Sequence, residues 1–355
     1  MRLDWGVHTR RNGVRFGRGL LALFLLWAGI APPAAAQERI ALPMKVRLAV
    51  GGKAALFYLP LTVTERLGYF RREGLDVEIF DFSGGARALQ ALIGGSADVV
   101  TGAFDHTIQM QVKGQPVVAV AQLGRLPGYA LGLIGAKGAA YRGPQDLKGM
   151  KIGVTAPGSS TQFLVQYLMV QHGLRADDAA FIGIGTGQTA IAAARRGEID
   201  GIVNVDPVIS LLESQGVIRI VADTRTPTGT WDVYGGPYPA AVLYATPRFI
   251  RTQPSIVQAL VNALVAGLQW VHSNSPEEIA KLMPPEYALG DLPLYIQSIR
   301  NSLATYSHDG RFSREGAESA LKVLAEFDPD VRGAAVDVGQ TFDGSFVENA
   351  LGSSR

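Results

Sequence analysis

Hydrophobic and polar positions divide the chain into a leader and a long alternation of short strands and helices. In the leader, Arg10, Arg11, Arg15 and Arg18 precede an apolar run, LLALFLLWAGI, over 20–30. Beyond it, KVRLAV over 45–50 reads as a strand closing on Gly51 and Gly52, and LDVEIFDF over 75–82 alternates as a half-buried strand does. Further strands are expected over 98–101 and 116–123, with helices over 60–67, 86–93 and 105–112.

A second series follows Pro127-Gly128. Strands are expected over 129–134, 151–154, 181–184, 199–203 and 217–221, with helices over 161–172, 188–196 and 207–215. Strands alternating with helices predict an α/β protein whose parallel sheets are covered on both faces. The stretch 224–239 is rich in Thr, Gly, Pro and aromatics and is expected to be loop. One more strand, 240–244, precedes helices over 247–250, 255–272, 276–282, 292–306 and 313–327. The tail after Asp328 is polar and is expected to be ordered only in part.

Length and composition refine this picture. A chain of 355 residues exceeds what one core usually holds, so two lobes are expected. Its hydrophobic content is 47%, and no second run resembles the one over 20–30, so the excess must be buried. That run is too short for a hydrocarbon core needing roughly 20 residues. Ala34 and Ala36 supply the small residues of a signal-peptidase site, so 1–36 is expected to be cleaved after Ala36 and the protein exported to the periplasm. Arg10-Arg11 suits the twin-arginine route, but Gly13 stands where that signal carries a bulky apolar residue, and the route stays open. Losing the leader leaves 28 basic against 30 acidic residues, a balance that argues against nucleic acid or an anionic membrane as partner. With no cysteine, the chain lacks lipid anchorage through cysteine, disulfides and thiol chemistry.

Candidate chemistry lies where strands end and helices begin. Ser83-Gly84-Gly85, Pro157-Gly158-Ser159-Ser160-Thr161 and Gly185-Thr186-Gly187 share this pattern. The first N–H groups of a helix lack intrahelical acceptors and carry partial positive charge. Several such starts at strand ends would hold an anion, although each can also be an ordinary cap. His106 falls in the first turn after a strand, where it either lines a pocket or serves as a surface or capping residue. Phe57, Tyr58, Phe104, Trp231, Tyr234 and Tyr238 sit in loops and are candidate walls for an organic body, or plain core. Lys53 and Arg87 are possible counter-charges or solvated surface residues. Gly185-x-Gly187-x-x-Ala190 matches a relaxed dinucleotide fingerprint with Asp206 downstream, but it does not open a fold, and no cofactor is expected. The histidines lack ligand spacing, so no metal site is expected.

The stretches LPLTVTERLGYFRREGLDV (59–77), FSGGARALQALIGGSADVV (82–100), Asp146-Leu147-Lys148-Gly149, KIGVTAPGSST (151–161), Ile199-Asp200 and Pro247-Arg248-Phe249 occur together and in order. This combination resembles the periplasmic solute-binding proteins of ABC importers, in the nitrate, sulfonate, taurine and thiamin-precursor branch. The resemblance implies a two-lobed periplasmic binding protein fold, type II-like, with the ligand cleft between lobes joined by two crossovers. Lobe one would comprise 37–125 plus 223–355, and lobe two 126–222. It further implies cleft positions at Gly52, Phe57, Tyr58, Ser83, Gly84, Gly85, Phe104, Ser159, Ser160, Thr161 and Asp206, with the segment around Tyr234 less firmly placed. The expected function is capture of a small organic anion, a sulfonate or aromatic carboxylate, by hinge closure. Its partner would be a membrane permease with a separate ATPase, and the protein itself a monomer and not an enzyme. Two alternatives remain: a ligand-sensing subunit, or an enzyme like the thiamin-pyrimidine synthases on this scaffold, whose cysteine-rich motif has no counterpart in a cysteine-free chain.

Overall fold

Two five-stranded sheets organise the computed structural model, which describes residues 43–352. The leader and its cleavage after Ala36 lie outside the described residues. The first sheet contains β1 (Met44–Val50), β2 (Leu75–Asp81), β3 (Val99–Ala103) and β4 (Val118–Gln122). The second contains β5 (Tyr129–Ile134), β6 (Lys151–Val154), β7 (Ala180–Gly183), β8 (Gly201–Val205) and β9 (Ile218–Asp223). A tenth strand, β10 (Ala241–Ala245), returns to the first. Strand order is β2-β1-β3-β10-β4 in one sheet and β7-β6-β8-β5-β9 in the other.

The expectation of parallel sheets is met only in part. β10 runs antiparallel between β3 and β4, and β5 runs antiparallel between β8 and β9. The reversed strands are the ones entered directly from a crossover. The chain leaves the first sheet after β4 and returns after β9, so β4 and β10 are neighbours in one sheet and β9 and β5 in the other. Thr224 ties the second side: its N–H donates to the Tyr129 carbonyl (2.8 Å), and the Tyr129 N–H donates to Thr224 Oγ1 (2.9 Å).

Helices pack around these sheets through buried apolar residues. In α1 (Leu59–Arg66), Leu59, Leu61 and Val63 are buried; in α2 (Gly85–Ile93), the buried stripe is Ala88, Leu89 and Leu92. The helices that open at the other strand ends are α3 (Asp105–Val112), α4 (Ser160–Gln171), α5 (Gln188–Arg195) and α6 (Val208–Ser214).

One segment is more regular than expected. Within 224–239 lies α7 (Pro227–Tyr234), where Thr226 accepts the Gly229 N–H and Pro227 occupies the first turn. That cap and proline are start signals hidden within a loop-like composition. The long α8 (Pro254–Ser273) is long and apolar enough to cross a membrane, yet Leu260, Leu264 and Leu268 are fully buried in the protein. It packs on α1 and on α10 (Ser345–Gly352), while α9 (Arg314–Phe327) packs on α4.

The tail is also ordered through residue 352. Ala119 of β4 donates to the Thr341 carbonyl (3.0 Å) and accepts from the Asp343 N–H (2.8 Å), so the tail covers the sheet edge. Fully buried Val347 fixes α10 to the core.

Candidate functional site

A pocket lies where the loops of the two sheets meet, lined from the first by Gly51, Phe57, Tyr58, Gly85 and His106. The second sheet and its loops contribute Tyr129, Thr155, Ser159, Ser160, Thr161 and Thr186.

Small residues allow this approach. Gly84 has φ +105°, and a Cβ there would fall 2.8 Å from the Thr155 carbonyl carbon and the Ala156 side chain. Gly52 has φ +106°, and a Cβ there would fall 2.4 Å from Thr186 Oγ1. Both are places where the opposite sheet's loops come against the backbone.

The hydroxyls at 159–161 do not cap their own helix. Ser159 Oγ accepts the Ala86 N–H at the start of α2 (3.0 Å), and Ser160 Oγ donates to Asp105 Oδ1 at the start of α3 (2.8 Å). Thr161 Oγ1 accepts the Thr155 N–H (3.1 Å). Two of the three hydroxyls therefore bridge the sheets. The Leu56 N–H adds a third bridge, to the Asp206 carbonyl (2.8 Å).

Beneath the pocket lies a buried polar pair. Asp105 is 1% exposed, and its Oδ2 accepts the Tyr238 hydroxyl at 3.3 Å. Burial raises the Asp105 carboxyl above its ordinary value, against the opposing pull of His106, Ser160 and Tyr238. Burial lowers the neighbouring His106, and Asp105 opposes that shift. Both imidazole nitrogens are engaged: Nε2 lies 3.4 Å from the Gly158 carbonyl, and Nδ1 lies 3.4 Å from the Tyr244 hydroxyl.

The remaining expected positions separate from the pocket lining. Phe104 is buried between Phe312 and Phe342 and belongs to the core, with the ordered tail supplying the Phe342 ring. Tyr234 stacks on Tyr238 at 4.3 Å and supports the Asp105 partner from behind. Ser83 is exposed at the rim. The Asp206 side chain caps α6 through the Ser210 N–H (2.9 Å) and lies 3.5 Å from Arg225. Burial raises its carboxyl, with Arg225 opposing.

The expectation of an anion site rests on backbone donors rather than on charged side chains. No lining side chain is a lysine or arginine. The Gly52 and Lys53 N–H groups already donate to Asp81 Oδ1 (2.9 and 2.8 Å), and the Lys53 ammonium pairs with Glu65. The loop donors after β1 are thus satisfied by the chain itself, whereas the Gly85, Ser160 and Thr161 N–H groups, at helix starts lining the pocket, have no acceptor among the described residues.

Sequence reasoning singled out none of Asp105, Tyr129 and Thr155, and took Thr186 only as part of a helix start. Asp105 stands between two named candidates, and an acid in a first helical turn looks like an ordinary cap. Tyr129 is the first residue of β5, directly after the crossover, and its ring stacks on Phe57 at 5.5 Å.

Residues 58–279, well over half the chain, match the family described as NMT1/THI5 like. The chain belongs to that family. Among solved structures, this NMT1/THI5 like protein is similar to a protein of Bordetella bronchiseptica RB50. They share 47% identity with a TM-score of 0.85, over 87% of this chain and 98% of that one. It is also similar to the alkanesulfonate-binding protein SsuA of Xanthomonas axonopodis pv. citri, bound to MOPS. There the TM-score is 0.67 at 19% identity, covering 86% of this chain and 99% of that one. Such a likeness shows the periplasmic binding protein fold. A further relative is the 4-amino-5-hydroxymethyl-2-methylpyrimidine phosphate synthase of Schizosaccharomyces pombe, 27% identical over 46% of this chain and 45% of its own length.

Proposed function

We propose that this NMT1/THI5 like protein is the exported solute-binding component of an ATP-driven importer. It would act as a monomer that closes two lobes over a small molecule and presents the closed form to a membrane permease with its separate ATPase. The carrying observation is that the pocket is made jointly by loops of both sheets, which are hydrogen-bonded across it at Ser159, Ser160 and Leu56. A solute held there contacts both lobes only when they are closed, so its binding energy favours closure. We place the lobe boundaries at the two crossovers, with 37–125 and 223–355 in one lobe and 126–222 in the other.

The synthase relative favours a second reading, an enzyme on the same scaffold. The pocket's chemistry favours binding instead. His106, its one lining imidazole, is engaged at both nitrogens, and Asp105 reaches the pocket only through Ser160.

A thermal-shift screen of the purified chain tests the binding reading. A solute at 100 times its dissociation constant stabilises the fold by roughly 2.7 kcal/mol. Conversion of a stabilising compound to product would favour the enzyme.

A further inference from the structure

We propose that residues 284–294 form an apolar strap that holds the two lobes closed beside the solute pocket, with Leu289 as its docking residue. The proposal rests on the hinge closure of the solute-binding reading and assigns part of that closure to a contact outside the pocket.

Three observations converge. First, the segment is anchored on one lobe and packs on the other. It lies after β10, the strand that returns the chain to the first sheet. At its base Met283 is buried in the larger core, and Arg66 of α1 donates from Nε to the Leu282 carbonyl (3.1 Å). Burial, then the Asp81 and Glu65 carboxylates, raise the Tyr287 hydroxyl to about 12, so that hydroxyl lies near acids of the first lobe. Leu289 and Leu294 leave this setting. Both pack against the second sheet's separate apolar cluster, which contains Val208, Ile209, Leu211 and Leu212 of α6. The helix Leu292–Ser302 packs on α6 as well.

Second, the tip of the strap holds a conformation that needs support. Leu289 has φ +55° and is the one non-glycine residue with positive φ among the described residues. It ends the short turn Pro285–Ala288, and Gly290 follows at φ +88°. The Cβ of a leucine is strained in the left-handed region, which glycine or asparagine enters more readily. Such strain persists where the surrounding packing over-determines it. Here the apolar contact with the α6 cluster favours leucine over the residues that suit the turn.

Third, the strap closes the flank of the solute pocket. Tyr287 and Leu289 line a second, smaller cavity together with Ala54, Asn204 and Val208. That cavity shares Ala55, Thr186 and Val205 with the solute pocket. Withdrawing Leu289 would therefore open this flank and remove an apolar contact between the lobes.

The unliganded chain tests the proposal, through energy transfer between dyes on Arg87→Cys and Gln188→Cys and through hydrogen exchange of the 208–212 amides. Leu289→Asn keeps the left-handed turn and removes the apolar contact. It should lower transfer efficiency and speed exchange of those amides at least threefold relative to wild type. Leu292→Ala, at a position 54% exposed on the same segment, should change neither. Unchanged transfer in Leu289→Asn overturns the proposal whatever the exchange shows, and so does an equal drop in Leu292→Ala. If Leu289→Asn does not fold, Leu294→Ala takes its place under the same outcomes. Solute binding is scored separately, by thermal shift of the wild-type chain against carboxylates, sulfonates, amines and heterocycles. A chain that binds one of these while its unliganded transfer ignores Leu289 keeps the binding reading and loses the strap. A chain that binds none of them, with the transfer change present, loses the binding reading and keeps the strap.

Discussion

The Ser160 hydroxyl donates a 2.8 Å hydrogen bond to the buried Asp105 carboxylate, joining a helix start of the second sheet to one of the first. A residue expected to line the cleft thus also bridges the loops of the two sheets. Under the proposed closure, this bond would form only when the loops of the two sheets meet.

Closure should depend on the absence of a side chain at Gly84. With φ +105° and a would-be Cβ 2.8 Å from the Thr155 carbonyl carbon, Gly84→Ala forces the loops apart. Small-angle scattering should show a larger radius of gyration for Gly84→Ala than for wild type, with secondary structure retained. Equal radii would remove Gly84 from the closing contact.

Acid stability should depend on His106. Burial holds its imidazole below the ordinary 6.5, so the folded chain binds fewer protons there than the unfolded chain. Stability from neutral His106 is present above 6.5 and is lost as pH falls through its lowered folded value. Asp105 has the opposite sign: its raised carboxyl gives stability present below 3.8 and lost as pH rises through the folded value. Melting profiles against pH should show a flatter acid limb for His106→Asn. An acid limb identical to wild type would contradict the assignment.

The core around α8 should behave as close-packed. Leu264 is fully buried, and Leu264→Ala should cost about 2–5 kcal/mol in urea unfolding. A loss under about 1 kcal/mol would mean that the helix packs more loosely than its burial implies.

The tail should be a structural part of the first sheet. Val347 is fully buried, and Val347→Asp places an unpaired charge beside α8. It should lower the melting temperature markedly, whereas Ser345→Ala, at an exposed position, should change it little. Equal effects would argue that the tail adds nothing to the core.

Strand and helix placement was largely legible, because period-two and helical patterns are local properties of the chain. Strand direction was not: β5 and β10 read as ordinary strands, and only the crossovers that precede them reverse their sense in the sheet. The helix Pro227–Tyr234 was hidden by composition, although Thr226-Pro227 was its start signal. At the site, Tyr58, Gly85, Ser159 and Ser160 were visible as strand-end residues. Their roles were not, since whether Ser159 caps its own helix or accepts Ala86 across the cleft depends on how two distant loops meet. Phe104 shows the same limit, as an aromatic in a loop becomes core once the tail folds against it.

Hinge closure on solute is tested most directly by energy transfer between dyes on the two rims. The chain has no cysteine, so Arg87→Cys and Gln188→Cys, both at exposed positions, give two unique labelling sites. A compound that raises the melting temperature should also raise transfer efficiency saturably, and Gly84→Ala should abolish that rise. A compound that binds this pocket with no change in transfer would contradict closure.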